Sequence, residues 1–218
     1  MTVSIAENIR EIEKEVRRRA AGRDVAIVAV SKTVPAESVK EAYAAGIKLF
    51  GENRIQEALP KIAQMANPDL TWHFIGHLQT NKTRDAVRYF SCIQSVDSLK
   101  LLQQIEKEAA KIGKKIDIFL EMNLGSEESK YGLAESDVGT AVETARNLPH
   151  VSLRGLMAIP PFFEDPEQVR PYFRRMRALT EQYKLREVSM GMSHDYPIAI
   201  EEGSTMVRIG TAIFGKRT

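Results

Sequence analysis

The chain has 218 residues, of which 43% are hydrophobic and 28% are charged, so its composition is that of a globular protein and excludes a disordered or fibrous chain. Its 31 basic and 29 acidic residues leave a formal net charge of +2, which excludes a strong general attraction to nucleic acid or to an anionic membrane. This length suits one domain with a full hydrophobic core, and we expect a single domain over residues 1–218.

Cysteine and histidine usage argues against disulfides and metal sites. Cys92 is the single cysteine, and the four histidines lack the spacing of metal ligands. The first residues are polar and charged, without the apolar core of a signal peptide, and no later run approaches the roughly 18 apolar residues of a membrane span. We therefore expect a cytoplasmic protein that holds no metal and does not bind a membrane.

Short apolar runs alternate with longer segments of helical period, a pattern typical of parallel strands joined by crossover helices. An amphipathic, charged helix from about Val3 to Ala20 comes first. Eight runs follow and are predicted as strands: Val25–Ser31, Lys48–Glu52, Thr71–Ile75, Cys92–Val96, Ile116–Asn123, Leu153–Ile159, Glu187–Met190 and Met206–Gly210. The predicted helices between them include Pro35–Ala45, Arg54–Met65, Ser98–Lys111, Ser136–Asn147 and Pro166–Tyr183.

Eight strands in about 200 residues fit the minimum length of a TIM-type (β/α)8 barrel and leave no room for a second domain. A doubly wound open sheet is the alternative arrangement of the same elements. In a barrel the active site lies at the C-terminal ends of the strands, so the residues that close each apolar run are the candidates for function.

Lys32 directly follows the first predicted strand. Partial burial there would lower the pKa of its amine and favour the neutral nucleophile that a Schiff base requires. A strand-end lysine that simply extends to solvent is the plainer alternative. His73 lies within the third strand, where a hydrogen-bonded structural role is favoured, whereas a site role and a loop role are equally supported for His77, which follows that strand.

The last two strands end in small and hydroxylated residues. The segments Ser189–Asp195 and Val207–Thr211 offer glycines, hydroxyls and backbone N–H groups, and a short helix is predicted from about Ala212. Loops at this position of a barrel commonly bind phosphate, so Ser193 and Thr211 are candidate hydroxyl donors, and Gly191 and Gly210 would allow close backbone approach. Ordinary turn chemistry is the alternative.

Arg208 lies two residues before Gly210, so both point to the same side of the last strand. A buried guanidinium needs an acceptor. An aromatic ring nitrogen of a ligand would serve, and because arginine keeps its proton it would leave a pyridine nitrogen unprotonated. A salt bridge to an acidic neighbour such as Glu121 is the alternative.

Several segments together resemble the family of PLP-binding, or pyridoxal 5′-phosphate (PLP) homeostasis, proteins. The matching segments span nearly the whole chain in order: Ala29–Thr33, Phe50–Asn53, Trp72–Lys82, Gly155–Met157, Ser189–Ser193 and Val207–Gly215. The resemblance implies the fold of the N-terminal barrel of alanine racemase, PLP fold type III, preceded by an extra N-terminal helix. It also implies Lys32 as the Schiff-base lysine.

The resemblance further assigns the other cofactor contacts. Ser193, Gly210 and Thr211 match phosphate-binding positions, and Arg208 matches the arginine that faces the pyridine nitrogen. Asn53, Met157 and Met190 match residues that line the cofactor pocket. Arg54 stands where many members have tyrosine or a hydrophobic residue, and we attach no functional change to that difference.

Two functions from different classes follow from this resemblance. The favoured one is a PLP carrier that stores or delivers the cofactor, with PLP-dependent apoenzymes as recipients and little turnover. The alternative is a weak amino-acid racemase. Two-base racemisation needs a second acid or base on the face of PLP opposite the lysine. In alanine racemase this group is a tyrosine from a separate domain. The chain stops at Thr218, so we expect no such domain; Tyr131 and Tyr196, predicted in loops, are the tyrosines that could approach the site.

A third interpretation is a phosphate-dependent barrel enzyme without PLP, with Glu52 or Glu121 as its general base. The combined match to the PLP-binding family makes it the least favoured. Because the separate racemase domain contributes to dimer formation in that enzyme, its expected absence predicts a monomer here.

Overall fold

The computed structural model of the protein describes residues 4–125 and 131–215. Eight strands form one closed barrel in which each strand pairs in parallel with the next, and β8 pairs with β1. The strands are β1 (Ala26–Val30), β2 (Leu49–Glu52), β3 (Thr71–Phe74), β4 (Cys92–Val96), β5 (Ile116–Met122), β6 (Val151–Ala158), β7 (Glu187–Met192) and β8 (Met206–Ile209).

Helices surround the barrel. They are α1 (Ile5–Ala20), α2 (Ala36–Ala44), α3 (Ile55–Gln64), α4 (Thr83–Tyr89), α5 (Leu99–Lys111), α6 (Val138–Arg146), α7 (Arg170–Gln182), α8 (Tyr196–Glu201) and α9 (Thr211–Phe214). Short 3-10 turns precede three of them, at Thr80–Lys82, Glu135–Asp137 and Pro166–Val169. The closed barrel confirms the predicted (β/α)8 fold and excludes the open sheet.

The extra helix α1 begins at a complete capping box. Ser4 Oγ accepts the backbone N–H of Glu7, and the Glu7 carboxylate accepts the backbone N–H of Ser4 at 2.9 Å. Asn8 Nδ2 donates to the carbonyl of Ile213 at 2.9 Å, which ties α1 to α9. The first helix and the last described helix are therefore joined on the outside of the barrel.

Side chains alternate between the two faces of each strand, so the barrel has two apolar layers. The larger layer lies between strands and helices and includes Phe50, Leu156 and Met190. The smaller one fills the barrel interior with Val28, Cys92, Phe119, Met157 and Met206. Polar side chains inside the barrel therefore stand above and beside this small apolar plug.

Candidate functional site

A cavity of about 470 Å³ opens where the carboxyl ends of the strands meet. Residues that end or follow seven of the eight strands contribute to its wall. The structure brings six of the predicted cofactor residues together there: Lys32, Asn53, Ser193, Arg208, Gly210 and Thr211. The volume falls within the range of small-molecule sites, roughly 300–1,000 Å³.

The two predicted methionines lie elsewhere. Met157 is fully buried in the interior plug, below the described residues that line the cavity. Met190 is fully buried on the opposite face of its strand, in the layer beneath the helices. The expectation that both side chains line the pocket is therefore not met, because strand alternation turns Met190 outward and the plug contains Met157.

The backbone before Lys32 is held by a buried ion pair. Lys61 Nζ donates to Glu52 Oε1 at 2.8 Å and to the carbonyl of Ser31 at 2.6 Å. Ser31 Oγ donates to the same Glu52 oxygen at 2.7 Å. Lys32 itself is half-buried and lines the cavity. Glu52 is fully buried in this cluster behind the cavity wall, so the structure does not place it as a general base.

Asn53 presents an oxygen that lacks a protein partner. Its Oδ1 is buried and has no hydrogen bond among the residues that the structure describes. Gly76 permits this placement, since a Cβ at Gly76 would lie 2.4 Å from the carbonyl oxygen of Asn53. A buried acceptor without a partner costs free energy, so Asn53 Oδ1 is suited to a ligand that donates a hydrogen bond.

Ser193 anchors the end of β8. Its Oγ accepts the backbone N–H groups of Gly210 at 3.1 Å and Ala212 at 3.2 Å. Because Ser193 Oγ is the acceptor in both bonds, its own O–H can still donate to an anion, as the hydroxyl of Thr211 can. Gly191 has a different role from the predicted approach to phosphate. Its φ is +94°, and a Cβ there would lie 2.5 Å from Ala199 Cβ of α8, so this glycine serves helix packing.

Arg208 is the buried end of a hydrogen-bonded chain across the barrel. Its Nη1 donates to Ser189 Oγ at 2.6 Å, and Nη2 donates to the carbonyl of Ala158 at 2.9 Å. Ser189 Oγ then donates to Gln94 Oε1 at 2.7 Å, and Gln94 Nε2 lies 2.8 Å from His73 Nδ1. His73 is thus the structural histidine that its position predicts.

Burial sets the charge states of this chain. It lowers the pKa of His73 to about 4, so the imidazole is neutral near neutral pH and its Nδ1 accepts from Gln94. It also lowers the pKa of Arg208 to about 10, which still leaves the guanidinium protonated. With two of its five N–H donors directed to Ser189 and Ala158, Arg208 retains donors for a ligand in the cavity.

Sequence reasoning missed part of the cavity wall. The additional residues are Val30, Ile75, Gly76, Ile159, Met192 and His194. The wall also includes Tyr131, which was expected to be able to approach the site, and His77 and Glu121, whose roles were left open. His77 Nδ1 lies 3.0 Å from Asp97 Oδ2, and its ring stacks on Tyr131 with centroids 3.6 Å apart. The position of His77 at a strand end was a usable signal, whereas nothing in the sequence pairs it with Tyr131.

Glu121 also lines the cavity and is not ion-paired with Arg208, contrary to the salt bridge considered as an alternative. Burial, with a smaller contribution from the nearby Asp97 carboxylate, raises the pKa of Glu121 from 4.5 to about 7. Arg208 acts in the opposite direction and only partly offsets this rise.

This shift predicts a pH-dependent penalty on stability. Between pH 4.5 and 7 the folded Glu121 retains a proton that the unfolded chain has lost, so the free energy of unfolding falls as pH rises through that window. As pH rises from 4.5 to about 8, we expect the free energy of unfolding of Glu121→Gln to increase by roughly 2–3 kcal/mol relative to that of wild type. Urea unfolding at both pH values measures this. A constant difference between the two proteins, matching that of the exposed Glu181→Gln control, would contradict it.

The sequence matches the family described as alanine racemase, N-terminal domain, over residues 3–218. A pyridoxal phosphate homeostasis protein of Aquifex aeolicus is 44% identical over 216 residues, covering 96% of this chain and 95% of its own length. The chain belongs to the pyridoxal phosphate homeostasis protein family. A member from Pseudomonas aeruginosa is likewise 44% identical, over 221 residues that cover 98% of this chain and 96% of that protein.

Solved structures agree with this family and its fold. The PLP-bound structure of PipY from Synechococcus elongatus PCC7942 is 37% identical and superposes with a TM-score of 0.89, covering 97% of this chain and all of that chain. Alanine racemase from Corynebacterium glutamicum, 18% identical with a TM-score of 0.72, shares the fold and matches over 61% of its own length. The barrel of the homeostasis protein family is therefore the fold of the racemase N-terminal domain.

Two other kinds of site are absent from residues 4–125 and 131–215. No helix there is both long and apolar enough to cross a membrane. No group of three or more histidine, cysteine, aspartate or glutamate side chains in that part of the chain is arranged to hold a metal ion.

Proposed function

We propose that this protein holds PLP as a Schiff base on Lys32 and stores or delivers it as part of vitamin B6 homeostasis in the cell. The observation that carries the proposal is the meeting in one cavity of a strand-end lysine, a buried guanidinium and the Ser193, Gly210 and Thr211 cluster. These groups fit three of the polar parts of the cofactor: its aldehyde, its pyridine nitrogen and its phosphate. The PLP named in the PipY structure supports the same assignment.

Each residue has a distinct task in this proposal. Lys32 supplies the amine that binds covalently, and the ion pair behind Ser31 fixes the backbone that carries it. Ser193 and Thr211 donate hydroxyl hydrogen bonds to the phosphate, with Gly210 allowing close approach. Asn53 Oδ1 gains the partner that it lacks among the described residues. Met157 supports the cavity from below, and Met190 supports β7 from the helix side.

Arg208 would keep the cofactor a weak catalyst. PLP supplies electron withdrawal through its ring, and this is strongest when the pyridine nitrogen is protonated. Because the guanidinium of Arg208 remains charged and is fixed by Ser189 and Ala158, it can donate to that nitrogen without giving up a proton. This favours holding the cofactor over carbanion chemistry.

A weak amino-acid racemase is the second candidate, and one observation bears on it. Tyr131 lines the cavity, so it can reach a ligand there. Tyr196 is the first residue of α8 and does not lie in a loop as predicted. Tyr131 is 58% exposed and stacked on His77, which is a poor setting for protected proton transfer. The curated relatives are named as homeostasis proteins and not as enzymes, and we propose a carrier without robust catalysis.

We further propose a cytoplasmic monomer in which residues 1–218 form one PLP-binding domain, and PLP-dependent apoenzymes as recipients of the cofactor. Five large hydrophobic side chains are exposed among the described residues, and a few exposed apolar side chains are ordinary on the surface of a monomeric protein. Cys92 is a buried free thiol, as expected in a reducing compartment. Light scattering that shows a dimer at working concentration would contradict the monomer.

Borohydride reduction tests the covalent assignment. The purified protein incubated with PLP is expected to show an imine absorbance band that disappears on reduction, with one pyridoxyl group located on Lys32 by peptide mass spectrometry. This follows because reduction turns a reversible Schiff base into a stable amine. No band after incubation with excess PLP would refute the proposal and favour a phosphate-binding barrel enzyme.

A further inference from the structure

One carboxylate in the cavity is not used by the cofactor contacts described above. Glu121 lies in β5, is 8% exposed and lines the cavity with Lys32 and Arg208. Within the two described ranges its carboxylate has no hydrogen bond or ion pair, although it interacts electrostatically with Asp97 and Arg208. Buried carboxylates are normally paired, so this one faces a position that a ligand can fill.

The groups around Glu121 favour a cation in that position. Asp97, directly after β4, lies close enough for its carboxylate to disfavour the charged form of Glu121. On the same side of the cavity, His77 bonds Asp97 and its ring stacks on Tyr131. Two carboxylates beside an aromatic wall attract an ammonium group and disfavour an anion.

The cationic side chains of the cavity have other tasks. Arg208 acts on Glu121 through space, but its guanidinium donates hydrogen bonds to Ser189 Oγ and the Ala158 carbonyl. Lys32 is occupied by the cofactor under the proposed function. A cation from outside the chain is therefore the partner that best fits the Glu121 carboxylate.

We propose that Glu121, with Asp97 behind it, is a subsite for the ammonium group of a primary amine or amino acid that enters the cavity beside the cofactor. The inference rests on the proposed function and deepens it, because it identifies the chemical class of ligand that removes PLP from Lys32. The subsite selects amines that are cationic in water over nucleophiles that are neutral.

The groups in the cavity account for every proton and bond when the incoming amine replaces Lys32 on the cofactor. The ammonium gives one proton to the Glu121 carboxylate, and the freed nitrogen attacks the cofactor carbon that is double-bonded to Lys32 Nζ. The bond to Nζ breaks as a carbon–nitrogen double bond forms to the incoming amine. The two protons left on the incoming nitrogen pass to Nζ, and Lys32 is released as a neutral amine.

Amine titration of the PLP-loaded protein tests the subsite. The cofactor absorbance is followed near neutral pH during addition of propylamine, which is cationic there, and separately of methoxyamine, which is neutral. The rate of exchange in wild type, read from this absorbance, is expected to level off at high propylamine concentration. Glu121→Gln is expected to need about tenfold more propylamine for half-saturation, an effect equal to one charge-assisted contact, with its methoxyamine response unchanged. The exposed Glu181→Gln variant serves as the matched control and should behave as wild type.

Three outcomes would overturn the inference. The first is equal half-saturation by propylamine in wild type and Glu121→Gln. The second needs no variant and is a wild-type exchange rate that rises in proportion to propylamine concentration without levelling off, as expected of unassisted attack from solution. The third is wild-type protein that shows no cofactor band before amine is added, which would refute the proposed function itself and is thus distinguished from failure of the subsite alone.

Discussion

Lys32→Ala protein incubated with excess PLP is expected to show no imine band and to carry no pyridoxyl group after borohydride reduction. The loss should be complete, since the variant lacks the amine that forms the bond. PLP held only by Ser193, Thr211 and Arg208 should wash out during desalting, whereas wild type retains it. Absorbance and intact mass after desalting measure both effects.

Lys40→Ala is the matched control, because Lys40 is an exposed lysine on α2, eight positions along the chain. It should keep the band and the added mass of wild type. A pyridoxyl group of wild-type occupancy on another lysine of the Lys32→Ala protein would show that the cavity does not select Lys32.

Gly155→Ala is expected to be the most destabilising small substitution in the barrel. A Cβ at this position would lie 1.7 Å from the carbonyl oxygen of Glu187 and 2.5 Å from its carbonyl carbon, both in the backbone of β7. The pairing of β5 with β6 shifts register between Leu153 and Gly155, which leaves Arg154 as a bulged residue. We expect a loss of about 4 kcal/mol or more in the free energy of unfolding, because relief requires movement of β7, which is paired on both sides.

Urea unfolding of Gly155→Ala beside Gly139→Ala provides the comparison. Gly139 lies in α6, and a Cβ there would meet Tyr183 Oη at 3.5 Å, an ordinary contact. The alanine should stabilise that helix or leave it unchanged, within about 1 kcal/mol. Similar midpoints for the two variants would mean that β6 and β7 separate more easily than the structure indicates.

The strands could be predicted closely because parallel barrel strands are buried on both faces and read as short apolar runs. β4 has the predicted bounds. β2, β3, β5 and β8 differ by one residue at one end, and β1 differs by one residue at each end. The exceptions have local causes. β6 begins two residues early, where polar Ser152 and exposed Arg154 interrupt the apolar run, and β7 extends two residues to Met192 through the glycine that packs on α8.

The site was predictable where a residue lies just after a strand end, as Lys32 does, or where its position in a strand determines which way it faces, as for Arg208. The site was less predictable where the role of a residue depends on partners that are distant in the sequence. Glu52 carries a strand-end carboxylate, yet Lys61 from the following helix binds it behind the wall. Met190 matched the family pattern, yet its side chain faces the helices. Tyr131 reaches the cavity from a loop after β5, and its stacking on His77 has no counterpart in the sequence pattern.

The chain of side chains from Arg208 through Ser189 and Gln94 to His73 joins β8, β7, β4 and β3. A slip of one residue in any of these strands would turn its member toward the helices and leave the others buried without partners. Apolar plug residues tolerate such slips far better, because one hydrophobic contact replaces another. The same polar chain that prepares Arg208 for a ligand thus penalises misaligned barrels, so Gln94 and Ser189 are expected to govern the fidelity of folding as much as the function of the folded protein.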